Sequence, residues 1–378
     1  MATYFFQLGS HEPLAHEELL AVFAARSQSL ESLHVVGGVA IAQCKSPLSI
    51  ASLQSLLGGT IKAGEIIGET SSDVSAIAEI IVPRLSAGKN NIGVSIFGSA
   101  SQDIHESLAM DLKRELTGRG FSIRIITGDA GVLSSAQIHH NKLVDDGLDL
   151  SLVFAGDAVH VGLSKSVQDF ESWSERDYGR PARDAHSGML PPKLARMMLN
   201  IAGVQDTTSV LDPFCGSGTV LSEALTMGVR TVYGSDISAK AVADSKKNTA
   251  WADATAKPII FQHDARRTFP ITGADAVVAE TYLGPARLPN SESAVRTIQK
   301  EIQALLHEAV VALGAMKQAP KTIVLAIPMF WSGTEWFRIS DEWIKGTQYK
   351  KAAPRVGTDL FYARPTAAVG REIVRLSR

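Results

Sequence analysis

The chain has 378 residues, 45% of them apolar and 20% charged, with 37 Lys plus Arg against 39 Asp plus Glu and a formal charge of −2. That length exceeds one ordinary compact domain, and the apolar content is enough for a full core, which excludes wholesale disorder. The near-neutral balance excludes a histone-like or polybasic binder and leaves local basic surfaces open. Two cysteines, Cys44 and Cys215, are too few for a disulfide framework or a thiolate zinc site, so a reducing, cytoplasmic compartment is expected. The first residues, Met1 to Gly9, carry no cationic stretch ahead of a long apolar run and read as a strand, not a signal peptide. No run of 18 apolar residues occurs, so no membrane span is expected. His139, His140 and His160 have no partners at metal-like spacing, and no metal site is expected.

Residues 1–60 read as a small α+β segment. Tyr4–Leu8 is strand-like, Glu17, Leu19, Leu20, Val22 and Phe23 follow Pro13 at helical spacing, and His34–Ala42 is one apolar strand around Gly37-Gly38. Ser49–Leu57 is a short helix stopped by Gly58-Gly59. Over 61–165 the pattern restarts as a second α+β domain. It has helices at Val74–Leu85 and Ile104–Leu116, the latter with Leu108, Leu112 and Leu116 on one stripe. Strands are expected at Asn91–Gly98, Phe121–Ile126, Leu150–Ala155 and Ala158–Leu163, the last two joined at Gly156-Asp157. Residues 166–190 form a connector of charges, aromatics and turn formers. From 191 to 378, after a helix opened by Pro191-Pro192, five short strands alternate with helical patterns. They are Ser209–Asp212, Thr231–Ser235, Ile259–Phe261, Ala274–Ala279 and Thr322–Ile327, which argues an α/β fold with a parallel sheet. Phe361–Arg364 and Glu372–Leu376 are expected to close it as a hairpin.

The strongest local signal is Val210-Leu211-Asp212-Pro213-Phe214-Cys215-Gly216-Ser217-Gly218-Thr219 running into a helix. A strand ending in a carboxylate, a turn with two glycines and a helix N-terminus make a nucleotide-type pocket, whose glycines let the backbone approach a ligand. The dinucleotide fingerprint wants a small residue where Leu221 stands and asks for no Asp before the turn. Both departures favour S-adenosyl-L-methionine, whose amino-acid ammonium and sulfonium are cationic, over a nicotinamide cofactor. Asp236 ends the second strand, placed either to take ribose hydroxyls or to cap the following helix. Asp264 ends the third, where it either accepts from an adenine amine or is an ordinary loop carboxylate.

Asp212–Thr219 with Gly234-Ser235-Asp236 resembles motifs one and two of class I S-adenosylmethionine-dependent methyltransferases. The Asp-Pro-Phe-Cys-Gly-Ser-Gly-Thr form resembles the branch acting on exocyclic amines of nucleic-acid bases. With Arg176-Asp-Tyr-Gly-Arg-Pro-Ala-Arg183 and Pro191-Pro-Lys-Leu-Ala-Arg-Met-Met-Leu-Asn200, the chain is similar to the tRNA guanosine-10 N2-methyltransferase family. The resemblance spans nearly the whole chain and is tightest over 176–240. It implies a ferredoxin-like segment at 1–60, a THUMP RNA-binding domain at 61–165, and a Rossmann-like, mostly parallel seven-stranded methyltransferase domain at 191–378. It further implies cofactor contacts from Asp212, Phe214, Gly216, Gly218, Thr219, Asp236, Ile237, Asp264 and Ala265. tRNA is the implied substrate, and a small activating protein subunit is a candidate partner.

The family's catalytic motif is Asp-Pro-Pro-Tyr, or Asn for Asp, whereas Glu280-Thr281-Tyr282-Leu283 stands here. Methylating an exocyclic amine needs a group that accepts from the NH₂ and an aromatic face that holds the flipped base. Glu280 and Tyr282 supply both residue types and are the catalytic candidates. A DNA amino-methyltransferase and a non-catalytic RNA-binding scaffold are the alternatives. From Arg338 to Arg378 nine Lys or Arg face four Asp or Glu. Lys350, Lys351, Arg355, Arg364, Arg371 and Arg375 form either an edge for a phosphate backbone or a solvated face. Phe330-Trp331 either walls the base pocket or packs in the core.

Overall fold

The structure, a computed structural model, describes residues 1–98, 102–183, 189–285, 292–365 and 367–378, with the backbone alone at 102–106 and 292. Connector residues 184–188 lie outside the described residues. The chain divides into two compact units, Met1–Glu12 with Ser27–Glu171, and Pro13–Arg26 with Ser172–Arg378. The expected front-end segment is therefore shared: helix α1, Glu12–Ala25, falls almost wholly in the second unit. Its partners explain why. Leu14 is fully buried in the same core as Leu194, Met198 and Leu199. Glu18 accepts from Asn200 Nδ2 at 2.7 Å, and Glu17 pairs with Arg355 at 2.7 Å. Sequence adjacency does not decide membership; buried partners do.

In the first unit eight strands form one sheet: β1 Ala2–Leu8, β2 Leu30–Val36, β3 Val39–Cys44, β4 Thr60–Thr70, β5 Lys89–Gly98, β6 Ser122–Thr127, β7 Leu148–Ala155 and β8 Ala158–Val167. Their order is β2-β3-β1-β4-β8-β7-β5-β6. The sheet runs straight through position 60, since β4 pairs with β1 on one side and β8 on the other. The single strand expected at His34–Ala42 is a hairpin, β2 turning into β3 at Gly37-Gly38. β4 escapes the strand pattern because Lys62, Gly64 and Gly68 interrupt its apolar alternation. Lys62 is nonetheless wholly buried, paired with buried Asp149 at 2.8 Å. Helices α2 Ile50–Leu56, α3 Val74–Ile81, α4 Gln102–Gly118 and α5 Ser135–His140 complete the unit. The stripe Leu108, Leu112 and Leu116 on α4 packs into a core with Ile77, Ile81 and Ile92.

The connector forms a helix, α6 Phe170–Tyr178. The second unit then continues with α7 Pro192–Ile201, β9 Val210–Asp212, α8 Thr219–Thr226, β10 Val232–Asp236, α9 Ala239–Ala252, β11 Ile259–Gln262, β12 Ala276–Glu280, α10 Glu292–Gly314 and β13 Thr322–Trp331. Short strands β14 Trp336–Phe337, β15 Lys350–Ala352 and β16 Phe361–Tyr362 precede the long β17 Val369–Ser377. The sheet order is β11-β10-β9-β12-β13-β17-β15, with β14 on β13 and β16 on β17. The expected seven-stranded path is present; two extra short strands, β14 and β16, make the sheet nine-stranded, and antiparallel β17 within the path makes it mixed. Strands β9 to β13 are mutually parallel, while β17 runs antiparallel beside β13 and carries the hairpin with β16. Successive strand residues face opposite cores: Val210, Val278 and Val324 join one cluster, and Leu211, Val277 and Ile323 the other. That alternation buries both faces under helices, as parallel sheets require.

Candidate cofactor and substrate site

The strand order reverses at β9, with β10 on one side and β12 on the other. In open α/β sheets such a switch point leaves a crevice at the carboxyl ends of the strands. Three carboxylates end the three strands there: Asp212 on β9, Asp236 on β10 and Glu280 on β12.

The turn after β9 is held tightly. Asp212, 2% exposed, accepts from the Phe214 N–H at 3.0 Å. The Cys215 N–H donates to the Ser235 carbonyl at 2.9 Å and the Gly218 N–H to the Cys215 carbonyl at 2.7 Å. Gly218, at φ +83°, opens α8, and a Cβ there would lie 2.5 Å from Ser245 Oγ. Gly234 answers the Leu221 departure: a Cβ on it would sit 2.4 Å from Leu221 Cδ1. The close helix–strand approach that a dinucleotide fold obtains from a small helix residue is supplied here by a glycine on the facing strand.

The connector buttresses this turn. Arg180, 5% exposed, donates to Thr219 Oγ1 at 2.5 Å. Asn248 on α9 exchanges two hydrogen bonds with the Ala182 backbone and donates to the Ser217 carbonyl at 2.8 Å. Arg176 and Arg196 both pair with buried Glu223 on α8, at 2.9 and 2.8 Å, with Trp173 stacked against them. Arg180 lies in the Arg176–Arg183 stretch of the connector, but the sequence by itself marks neither it nor Asn248 as part of the site; Asn248 sits in a helix with no distinguishing pattern.

Asp236 accepts twice from backbone: Oδ2 from the Gly216 N–H at 3.0 Å and Oδ1 from the Ser238 N–H at 2.9 Å. The cap of α9 is Ser238 itself, whose side chain accepts from Ala241. Each carboxylate oxygen keeps a second lone pair, so Asp236 has acceptor capacity beyond these bonds. Ile237 beside it is 64% exposed, an apolar surface at the crevice edge. Asp264 is gripped by Arg266, whose Nε and Nη2 reach it at 2.9 and 2.7 Å and hold its carboxyl at about 2. Ala265 next to it is buried, and Phe214 is half-buried.

Electrostatically the crevice is short of positive charge. Burial pushes the Asp212 carboxyl well above its ordinary range, against the Phe214 N–H, and the negative charges of Asp236 and Glu280 push it further. Burial likewise raises Glu280, opposed by Arg371 and Arg364. Glu280 Oε1 accepts from Arg371 Nε on β17 at 2.5 Å. Thr281, where the family pattern has proline, donates its N–H to the Ala326 carbonyl at 3.0 Å and its hydroxyl to the same oxygen at 3.2 Å. Those bonds tie the segment to β13 in a way proline could not, lacking the N–H. Tyr282 follows, half exposed. Phe330 is core, but Trp331 is 41% exposed and meets Trp336 at 5.2 Å, which meets Phe361 edge-on at 5.2 Å.

The basic C-terminal stretch is mostly committed inside the unit. Lys351 pairs with Asp341 and Glu372, Arg355 with Glu17, and Arg371 with Glu280. Burial lowers Arg375. Of the six residues singled out, Lys350 and Arg364 are exposed and form no salt bridge among the described residues, although the charge of Arg364 is felt by Glu280. Net charge counts side chains without saying where they pair, so the stretch is less available to a phosphate backbone than its composition suggests. No group of three or more His, Cys, Asp or Glu among the described residues is arranged to hold a metal. No described helix is long and apolar enough to cross a membrane.

Residues 180–281 match a family described as the RMKL-like methyltransferase domain. A tRNA (guanine(10)-N2)-dimethyltransferase of Methanothermobacter thermautotrophicus is 39% identical over 99 residues, 26% of this chain and 29% of that protein. One of the same description from Methanocaldococcus jannaschii is 50% identical over 52 residues, 14% of each chain. The chain thus aligns with less than a third of the length of these curated relatives. Among solved structures, TrmN from Thermus thermophilus superposes with a TM-score of 0.55 at 14% identity, covering 100% of both chains. The chain therefore carries a methyltransferase domain of the Rossmann-like class, and the cofactor these findings support is S-adenosyl-L-methionine. The residues present fit that group: a glycine turn open beside Gly216, where a Cβ would meet nothing nearer than 4.0 Å, faces a cluster of carboxylates that a cation would neutralise.

Proposed function

We propose that this protein is an RNA methyltransferase acting on an exocyclic amine of a base in structured RNA, with guanine N2 of tRNA as the target. The observation that carries the reading is Glu280 at the carboxyl end of β12, across the switch point from Asp212 and followed by exposed Tyr282. The 180–281 family match and the tRNA-modifying relatives support it.

S-adenosyl-L-methionine supplies a methyl group activated on a sulfonium. Phe214, Gly216, Gly218 and Thr219 frame its methionine end, and Asp212 balances the cationic charge there. Asp236 takes the ribose hydroxyls with its remaining lone pairs, while Ile237, Asp264 and Ala265 line the adenine end. An exocyclic amine is a poor nucleophile because its lone pair is delocalised into the ring. Glu280 accepts its N–H so that the nitrogen can pyramidalise, and Tyr282 stacks on the extruded base. A carboxyl raised by burial is also suited to take the proton that the amine sheds. The first unit, Met1–Glu12 with Ser27–Glu171, serves in this reading as the ferredoxin-like and THUMP-like parts that bind the RNA, with a cytoplasmic setting.

The test is incubation of the full chain with methyl-labelled S-adenosylmethionine and total tRNA, then nuclease digestion and mass spectrometry. N2-methylated guanosine is the expected product. Label in duplex DNA instead would favour a DNA amino-methyltransferase. Tight cofactor binding with no transfer to any RNA would leave a scaffold.

A further inference from the structure

The glutamate that stands where the family pattern has a shorter, proline-stiffened residue does not stand alone. We propose that Arg371 is a positioning residue for catalysis: by holding Glu280 Oε1 it aims Oε2 at the substrate's exocyclic amine. The inference rests on the reading of Glu280 as the amine acceptor.

Glutamate has one more rotatable bond than aspartate, so an unassisted Glu280 would sample several directions, and freezing such a side chain costs conformational entropy. Two prolines that could have stiffened the following backbone are absent. Arg371 replaces that stiffening from a distant strand. It stands on β17, opposite Pro328 of β13, while Glu280 pairs with Ala326 of the same strand. Both side chains are largely buried, 9% and 16% exposed. The guanidinium is itself held, lying 5.9 Å from the Tyr362 ring centroid on the strand paired with β17. A planar guanidinium fixes direction as well as charge, which a lysine ammonium does not.

The charged groups around Glu280 set the sign of the test. Burial opposes its ionised form, Arg371 and Arg364 favour it, Glu280 in turn raises Asp212 on β9, and the neighbouring β13 contributes Ala326, which carries no charge. Removing Arg371 should therefore protonate Glu280 at higher pH.

The experiment compares wild type, Arg371→Met and Arg371→Lys in the full chain. Turnover on tRNA is measured across pH, with calorimetric affinity for S-adenosylmethionine and a titration of ¹³C-carboxyl-labelled glutamate. The Glu280 resonance is assigned by its loss in Glu280→Gln. Arg371→Met should lower kcat by about tenfold, equal to about 1.4 kcal/mol. Its cofactor affinity should be unchanged, and both the acid limb of kcat and the Glu280 titration should move to higher pH. Arg371→Lys should restore the pH profile but only part of kcat, since it returns charge without the fork. A purely structural Arg371 would lower melting temperature and leave the pH profile in place. An active wild type with an unmoved profile and titration in Arg371→Met overturns the role of Arg371 alone. A wild type that methylates no RNA overturns the acceptor role of Glu280 and the positioning role with it.

Discussion

Asp236 is the residue whose two readings, ribose acceptor and backbone fastener, can be separated by one substitution. Its carboxylate accepts from the Gly216 N–H at 3.0 Å and the Ser238 N–H at 2.9 Å. Asp236→Ala removes both. Hydrogen bonds to a charged group contribute about 1.5–3 kcal/mol each, and the Ser238 bond is exposed, so the combined loss should lie near the low end, roughly 2–3 kcal/mol. For a domain of this size, 1 kcal/mol moves the melting temperature by about 2–4 °C, which gives a fall of roughly 4–12 °C. If the carboxylate also takes two ribose hydroxyls, the affinity for S-adenosylmethionine should drop at least about tenfold, or about 1.4 kcal/mol. Asp236→Asn divides the two bonds: its Oδ1 still accepts from Ser238, while its Nδ2 meets the Gly216 N–H as a second donor, so that bond and the charge are both lost. It should melt between Asp236→Ala and wild type and bind the cofactor weakly. Titration calorimetry and a thermal melt on the same preparations read both quantities. Equal affinity in all three proteins, with melting temperatures falling from wild type through Asp236→Asn to Asp236→Ala, would remove Asp236 from the ligand and leave it a fastener of the turn.

Asp212→Asn should stabilise the apo chain while weakening cofactor binding. The Asp212 carboxyl is raised in the fold, so the native state holds its proton longer and stability falls as pH climbs from the unfolded value through the folded one. The asparagine lacks that decline, and melting curves from acid to mildly alkaline pH should diverge upward; parallel curves would refute the buried-charge account. Glu280→Ala should cost roughly 10²-fold in turnover on tRNA, whereas Glu280→Gln keeps a carbonyl acceptor and should retain partial activity. Wild-type rates in Glu280→Ala would move the acceptor to Thr281 or a nearby carbonyl. Leu14→Ala, in a side chain wholly buried in the core of the second unit, should destabilise that unit by about 2–5 kcal/mol in denaturant unfolding. A change below about 1 kcal/mol would mean that α1 is not an integral part of it. For the same reason a fragment cut to the residues after the connector would lack a helix of its own fold, and a truncation that isolates the second unit has to keep Pro13–Arg26.

Much of the second unit was readable residue by residue. Strands at 209–212, 231–235, 259–261, 274–279 and 322–327 fall within a few residues of β9 to β13, because a strand buried on both faces is a short apolar run between turn formers. The Asp212 turn was equally plain, since its glycines and carboxylate are neighbours in the chain and act as neighbours in the fold. β4 was not, because Lys62 reads as polar until Asp149, 87 positions away, is seen to neutralise it. Nor could Glu280 and Arg371 be paired, at a separation of 91 residues. Arg371 read as one cation among nine in a basic stretch, and only the antiparallel register of β17 against β13 turns it inward. The membership of α1 was settled the same way, by Glu17 meeting Arg355 and Glu18 meeting Asn200. Local periodicity and turn chemistry act over a few residues and survive in the sequence as pattern. Which buried charge meets which depends on strand order and register, and those exist only once the chain has folded.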